Sequence, residues 1–318
     1  MTLVTGGTGF IGRHVLERLA KTGEHVRALI RRPADLPPGV ETVRGDLVSC
    51  EGIEAALRDV DTVIHLAGVT KALRSVAYYT GNEIATRNLL QAIAGRGVHL
   101  VHVSSLAAIG PSPDGVPVRE DAAPHPIVHY GKSKLAAERA VREFAADAVI
   151  VRPAVVYGPR DTDVFQLLKS ISRGLVLEIS GGERFFSAIY VKDLVEGILT
   201  AGRSPRARGR DYFLAHPQPL TWGDLSAAAA RIMRRRPRVV RIPPAVAAVV
   251  GACGELVARI TGKPGIISRE KIVEAQCRYW TCDTSRATAE LGFTASTPIE
   301  EGLAETLAWY KEAGWVSY

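Results

Sequence analysis

A doubly wound α/β protein, with a parallel sheet covered by helices on both faces, is the fold class this sequence predicts. Three observations predict it. Short apolar runs alternate with helical patterns through the first half of the chain, the signature of βαβ units. Those runs are continuously apolar, as strands buried on both faces require. A glycine-rich turn joins the first strand to the first helix. Beyond residue 158 the pattern loosens into a smaller, mainly helical region.

Taken in order, Leu3 and Val4 begin a strand and residues 11–22 form a helix. HVRALI (25–30) is a second strand, and VETVRGDL is a third that ends at Asp46 and Leu47. Residues 53–57 lie on a short helix, 61–68 on a fourth strand and 82–94 on a long helix. HLVHVSS (99–105) is a strand, 130–144 a helix, and AVIVRPAVVYG (148–158) one strand running into a loop. Further on, 164–173 looks helical, FFSAIYV (185–191) looks like a strand before a helix over 193–201, and YFLA is another strand. From Thr221 the chain reads as mainly helical, ending with a helix over 300–313. The expected division is a dinucleotide-binding domain of residues 1–158 with 183–214, and a substrate region of 159–182 with 215–318.

With 318 residues, 47% of them hydrophobic, and 40 basic against 33 acidic side chains, the chain has a globular composition, neither disordered nor fibrous. No run of about 18 uncharged apolar residues occurs, so no spanning helix is expected. The start, MTLVTGG, reads as a strand and turn and not as a cleaved leader. Cys50, Cys253, Cys277 and Cys282 form no CxxC pair, which leads to an expectation of free thiols, a cytoplasmic setting and no metal site. Arg231, Arg234, Arg235, Arg236, Arg238 and Arg241 fall within eleven residues. They read as a solvated helix end and loop, with peripheral membrane contact as the alternative. No aromatic residues interleave with them, so no nucleic acid partner is expected.

TGGTGFIG, residues 5–12, is the phosphate loop. Gly6 permits the tight turn, Gly9 lets the backbone approach a pyrophosphate, and Gly12 lets helix and strand pack closely. The helix N-terminus then offers N–H donors and partial positive charge. Its placement directly after a strand and ahead of further βαβ units points to a dinucleotide. An acid at the end of the second strand would hold a ribose 2′-hydroxyl, but this chain has Arg31 and Arg32 there. Two guanidinium groups suit a 2′-phosphate, so NADP(H) is favoured over NAD(H).

YGKSK places Tyr130 and Lys134 four residues apart, on one helix face. A lysine ammonium beside a phenol would lower its pKa toward the working range of a general acid/base. The preceding strand ends in Ser104 and Ser105 at the carboxyl edge of the sheet, where ligands of open α/β folds bind. A hydroxyl there would steady a substrate oxygen during hydride transfer.

These segments resemble the extended branch of the short-chain dehydrogenase/reductase superfamily, the group of NAD-dependent epimerases and dehydratases with a Rossmann-type sheet. TGGTGFIG, GDL (45–47), HLAG (65–68), NEIATRN (82–88), SSLAAIG (104–110), YGKSK, RPAVVYGP (152–159), IYVKD (189–193) and DTSRATAELGF (283–293) follow in family order. The resemblance implies that Tyr130 is the acid/base, that Lys134 tunes it and binds the nicotinamide ribose, and that Ser105 rather than Ser104 is the catalytic hydroxyl. It implies cofactor contacts from Gly6, Gly9, Phe10, Ile11 and Gly12, from Asp46 and Leu47 at the adenine, and from Ala67 and Gly68. Asn82 would brace the central strand or serve a proton relay, and the segment holding Pro153 and Val156 would meet the nicotinamide. For Asp46 a helix N-cap and for Asn82 a structural hydrogen bond are the alternatives.

Departures from the family pattern bear on the reaction. Family dehydratases carry Asp-Glu after the catalytic hydroxyl; Leu106 and Ala107 stand here and can move no proton. Sugar-nucleotide epimerases place an arginine seven residues before the aspartate of IYVKD, where this chain has Phe186. Arg184, Arg269 and Arg278 are the substitutes for that diphosphate clamp. The apolar stretch 242–262 suits a lipophilic ketone or alcohol, or else forms an ordinary core helix or a dimer face. The expected activity is that of an NAD(P)-dependent oxidoreductase acting on a small molecule, as a homodimer. A nucleotide-sugar 4-epimerase holding NAD tightly is the alternative enzyme, and a non-catalytic NADP(H)-binding regulatory module the alternative of another class.

Overall fold

The computed structural model describes residues 1–262, 265 and 268–318. Seven parallel strands form the main sheet in the order β11-β6-β5-β4-β1-β2-β3. In chain order the first half comprises β1 (Thr2–Thr5), α1 (Phe10–Lys21), β2 (Val26–Ile30), β3 (Glu41–Arg44), α2 (Ile53–Ala56), β4 (Thr62–His65), α3 (Ser75–Tyr79), α4 (Ala85–Ile93), β5 (His99–Val103), α5 (His129–Phe144) and β6 (Val149–Pro153). The strand order reverses between β1 and β4, the switch point at which such sheets open a crevice.

Period-two alternation inside wholly buried strands divides the core into two layers. Val4, Ala28, Ile64 and Val101 point to one face, where they meet Val15, Leu16 and Leu19 of α1 and Ile198 of α7 (Val191–Arg203). Leu3, Leu29, Val63 and Leu100 point to the other, against Ile53, Leu89, Leu90 and Ala140 of α2, α4 and α5. This two-sided burial is why the strands read as continuous apolar runs.

Several boundaries differ from the sequence expectation. The stretch 148–158 is two strands, because β7 (Val155–Tyr157) leaves the main sheet at Ala154 and pairs with β10 (Ala188–Tyr190). The helix expected from residue 82 begins with α3 and passes through a π-helical segment, Thr80–Ile84, that holds Asn82. FFSAIYV is likewise divided, with β9 (Phe185–Phe186) ahead of β10.

The remaining elements build the smaller region: α6 (Val164–Ser172), β8 (Leu175–Ile179), β12 (Leu220–Thr221), α8 (Trp222–Ile232), β13 (Arg238–Ile242), α9 (Pro244–Thr261), α10 (Arg269–Gln276), β14 (Tyr279–Trp280), α11 (Ser285–Leu291) and α12 (Ile299–Glu312). Here β11 (Asp211–Leu214) returns to the edge of the main sheet. Leu168, Leu225, Leu303, Leu307 and Tyr310 form the core of α6, α8 and α12. The arginine-rich stretch, expected as helix end and loop, contains β13, which pairs in parallel with β8. The reading of 242–262 as a core helix fails: only 17% of α9 is buried. With a mean hydropathy of 1.4, α9 is long and apolar enough to cross a membrane by length and composition, although Glu255 and Arg259 interrupt it.

Candidate active site

Two helix starts and five strand ends converge at the carboxyl edge of the sheet. At the first, Gly6 takes a φ of +73°, and a Cβ there would stand 2.6 Å from the Ala67 nitrogen. A Cβ on Gly12 would stand 2.1 Å from the Gly6 carbonyl oxygen. The tight turn and the close approach of α1 to it therefore both demand glycine. Gly9 is the N-cap of α1, makes no side-chain cap and is followed by no acid in the first turn. The first N–H groups of that helix are thus left to an anion.

A cavity of about 240 Å3 opens above this turn. It is lined by Gly6, Gly9, Arg31, Asp46, Leu47, Ala67 and Gly68, which the sequence places on four separate strand ends, and also by Thr5, Thr8, Val69 and Gly81. Asp46 caps no helix; its Oδ1 accepts from the Val48 N–H at 2.8 Å, holding the turn after β3. Phe10 and Ile11 are partly buried against the cores and do not line this cavity. Arg32 is exposed beside Arg31 but does not line the cavity. Pro153 is buried at the end of β6, and Val156 packs between two cores; neither lines it. A dinucleotide fits this cradle, with its pyrophosphate at the uncapped start of α1.

Asn82 belongs to the support. Its Oδ1 accepts from Val69 N–H at 2.7 Å, and its Nδ2 donates to Val69 O at 3.1 Å and Ser133 Oγ at 2.8 Å. It ties the loop after β4 to the third residue beyond Tyr130. Thr5 and His65 are braces that sequence reasoning missed. Thr5 Oγ1 lies 2.7 Å from His65 Nδ1 and accepts from Ala67 N–H, while His65 Nε2 reaches Thr86 Oγ1 at 2.9 Å. Burial, with help from the Lys134 charge, pushes the His65 pKa down to about 3, so this histidine is a neutral strut. Its strand-end position was the available signal, but a core histidine looks the same in sequence.

The second helix start carries the chemistry. Ser105 leaves β5 as the N-cap of a short turn, its Oγ accepting from Ala107 N–H at 3.2 Å, and it stands near enough to the Tyr130 phenol on α5 to pull its pKa down. Ser104 is buried beside Glu138 instead. Lys134, one turn after Tyr130, donates to the Val103 carbonyl at 2.7 Å, and its Nζ lies 4.0 Å from where a side chain on Gly68 would begin. Ser105, Tyr130 and Lys134 are thus gathered at the Gly68 end of the cradle.

Burial raises the Tyr130 pKa, with Ser105 pulling the other way. Burial lowers Lys134 itself to about 8 against the opposing pull of Glu138. The Lys134 ammonium is turned to the β5 backbone and the cradle. Tyr130 is consequently a proton donor at rest.

Beside Tyr130 lies a larger pocket of about 680 Å3, walled by the loop 70–75, Tyr78 and His129 on one side and by α9 and α10 on the other. The Tyr78 and Tyr130 ring centroids are 6.3 Å apart. Lys271 of α10 is among the charges acting on the Tyr130 phenol. Glu270 Oε1 accepts from His129 N–H at 3.0 Å, which pins α10 to the start of α5. None of these pocket residues carries a motif, and their convergence is not legible from spacing.

Most basic residues of this pocket are engaged: Lys71 pairs with Asp163, Lys271 with Glu274 at 2.8 Å, and Arg259 and Arg269 with Glu255 at 2.8 and 3.4 Å, while Arg74 makes no ion pair among the described residues. Neither of the other expected clamp residues lines the pocket, and Arg184 donates to the carbonyls of Ile179, Ser180 and Gly182, closing its own turn. Arg278 lies over the Tyr279 ring, 5.6 Å from its centroid.

A crevice at the switch point, a glycine cradle and a Ser–Tyr–Lys cluster at one end define a dinucleotide-dependent oxidoreductase of the doubly wound class. The profile of the NAD dependent epimerase/dehydratase family matches residues 2–215, and the chain belongs to that family. It is 30% identical to the ceramide reductase of Caulobacter vibrioides, over 98% of this chain and 95% of that protein. It is 28% identical to the N-acetyl-alpha-D-glucosaminyl-diphospho-ditrans,octacis-undecaprenol 4-epimerase of Escherichia coli O157:H7, over 96% and 94%. The structure of MoeE5 in complex with UDP-glucose and NAD superposes with a TM-score of 0.80 at 27% identity, covering 98% of this chain and 99% of that one.

Proposed function

We propose that this protein is a reductase that converts a ketone of a lipophilic small molecule to a secondary alcohol. The observation that carries the reading is the position of Tyr130 against Tyr78, a wall of the larger pocket, most of whose cations are already paired with acids and so are not free for a diphosphate. When bound, the reduced dinucleotide supplies hydride to the carbonyl carbon. The Ser105 hydroxyl donates to the carbonyl oxygen and orients it. Tyr130, kept protonated by burial, delivers its phenolic proton to that oxygen as negative charge develops there. Lys134 holds the cofactor's ribose through donors that its Val103 contact has already aimed.

Arg31 and Arg32 support a preference for NADPH, since no carboxylate stands at the end of β2 to repel a 2′-phosphate. A ceramide reductase among the relatives supports the lipophilic substrate, as that protein's name couples the reaction type with a lipid.

A second reading, nucleotide-sugar or lipid-linked sugar 4-epimerisation, is favoured by the names of the epimerase relative and of the UDP-glucose complex. Against it stands the engagement of Lys71, Arg259, Arg269 and Lys271 with acids, which leaves Arg74 as the one cation of the pocket without an ion pair among the described residues, where a clamp on a diphosphate uses more than one. The deciding experiment supplies purified protein with free NADPH and a panel of long-chain ketones, and separately with UDP-sugars and no added cofactor. Consumption of NADPH with the ketones supports the reductase. Epimerised sugar from co-purified NAD, without net NADPH use, overturns it.

A further inference from the structure

We infer that α9 is a membrane-docking helix that lays this protein on an anionic lipid surface. Its amphipathicity is inverted relative to a helix of a soluble core. Small residues face inward: Ala247, Gly251 and Ala258 are buried, and a Cβ on Gly251 would stand 2.7 Å from Ile272 of α10. The large apolar side chains face out. Val246, Val249, Val250, Leu256, Val257 and Ile260 recur at helical spacing on that side, each between 42% and 77% exposed. A monomer leaves an apolar stripe of this length in water only where it has a partner.

Charge selects the partner. The exposed chain leading into α9 holds Arg234, Arg235, Arg236 and Arg238, none of which makes an ion pair among the described residues. Arg231 and Arg241, by contrast, pair with Glu300 and Glu178. Exposed Val239 and Val240 on β13 connect the arginines to the helix. Apolar side chains flanked by uncompensated arginines match a bilayer of apolar interior and anionic headgroups. A two-fold contact between copies through the same face would gather two such arginine clusters at one interface, without acids to answer them.

The helix lies in the interface and does not span. Its 18 residues, about 27 Å, only just match a hydrocarbon core of about 30 Å, and Glu255 and Arg259 interrupt them. Its inward side is packed on α10, whose Arg269, Glu270, Lys271 and Glu274 would be carried into hydrocarbon with it. In the interfacial position the inner residues Glu255, Ala258 and Arg259 still wall the larger pocket. The inference stands on α9 and its arginines and does not depend on the substrate proposed above.

The test is co-sedimentation of the 318-residue chain with vesicles of phosphatidylcholine alone or mixed with phosphatidylglycerol. Binding to the mixed vesicles that weakens with added salt is expected. Val249→Asp with Ile260→Asp should lower the bound fraction about tenfold or more, and Arg234→Glu with Arg236→Glu should remove the preference for anionic lipid. Melting temperature and NADPH fluorescence, read on both variants, show that fold and cradle are intact. If either pair loses its fold, Val249→Ser with Ile260→Ser and Arg234→Gln with Arg236→Gln take their places. Wild-type protein left in the supernatant, or equal binding to both vesicle types, overturns the proposal. So does a dimer in sedimentation velocity that Val249→Asp dissociates while no vesicle is bound, which would assign the face to a second copy.

Discussion

Arg152 grips both carboxylate oxygens of Glu138, through Nε at 3.0 Å and Nη2 at 2.8 Å, in a pair that is almost wholly buried. The contact fastens the catalytic helix to β6, and Arg152 Nη2 continues to Asp211 of β11 at 2.8 Å. Glu138 stands two turns beyond Tyr130 and one beyond Lys134, on the side that faces the sheet. A buried pair of this kind is not a large net source of stability, but removing one member strands the other. Glu138→Gln should therefore lower stability by about 3 kcal/mol, partly relieved by Asp211, whereas Glu138→Leu combined with Arg152→Met should cost less than the sum of the singles. Denaturant titration of the three variants measures this.

The same pair gives a pH dependence with a definite sign. Burial alone would raise the Glu138 pKa, but Arg152 holds it below its ordinary 4.5. A carboxyl with a depressed folded-state pKa contributes stability that is complete above 4.5 and is lost as pH falls through the lower folded value. Wild-type stability should fall on that acid limb, and the limb should be shallower in Glu138→Gln. Equal slopes would mean that other carboxylates govern acid unfolding.

Tyr130→Phe removes the proton donor and leaves the ring. Turnover should drop by about two to four orders of magnitude while dinucleotide affinity stays within a few-fold. Activity near wild type would take Tyr130 out of the mechanism. Ser105→Ala is the sharper probe, because Ser105 pulls the phenol's pKa down. Its loss should move the alkaline limb of the pH–rate profile upward in addition to slowing the reaction; slowing without movement would leave Ser105 as a substrate contact alone.

How much of this was legible in sequence follows the range of the interactions. The cradle was readable because the positive φ of Gly6 and the contact of Gly12 with the Gly6 carbonyl are constraints within one turn of seven residues. The partnership of Tyr130 with Lys134 was readable as spacing on one helix, but the direction of the lysine was not: the Val103 carbonyl that receives it comes from a neighbouring strand. Ser104 and Ser105 differ in role because both follow the end of β5 and only Ser105 caps the turn that comes next. The exposure of α9 was illegible for another reason. An apolar helix buried in a core and one lying on a surface have the same composition, and only packing against α10 shows which side is covered.

Replacing both Arg31 and Arg32 by Ala tests the cofactor preference. Arg31 lines the cradle at the end of β2, and Arg32 is exposed one residue on. Loss of charge-assisted bonds to a 2′-phosphate should weaken NADPH by about ten- to a hundredfold and leave NADH within a few-fold. Equal weakening of the two would mean that the arginines act on the adenosine or on the fold.

Arg184 separates the two readings of the reaction. Two residues from the position where epimerases of the family carry their clamp, it is nonetheless committed to the carbonyls of Ile179, Ser180 and Gly182 at 2.6, 3.1 and 3.0 Å. Those bonds close the turn between β8 and β9, beside the pair β8–β13. Arg184→Ala leaves three carbonyls without this donor, and the bonds are to a charged group, so a loss of about 2 kcal/mol in stability is expected. Ketone KM should change little, since the guanidinium has no freedom to meet a substrate. A stable variant whose KM for a UDP-sugar rises steeply would show that Arg184 swings out of its turn to bind a diphosphate. The epimerase would then displace the reductase as the reading of this site.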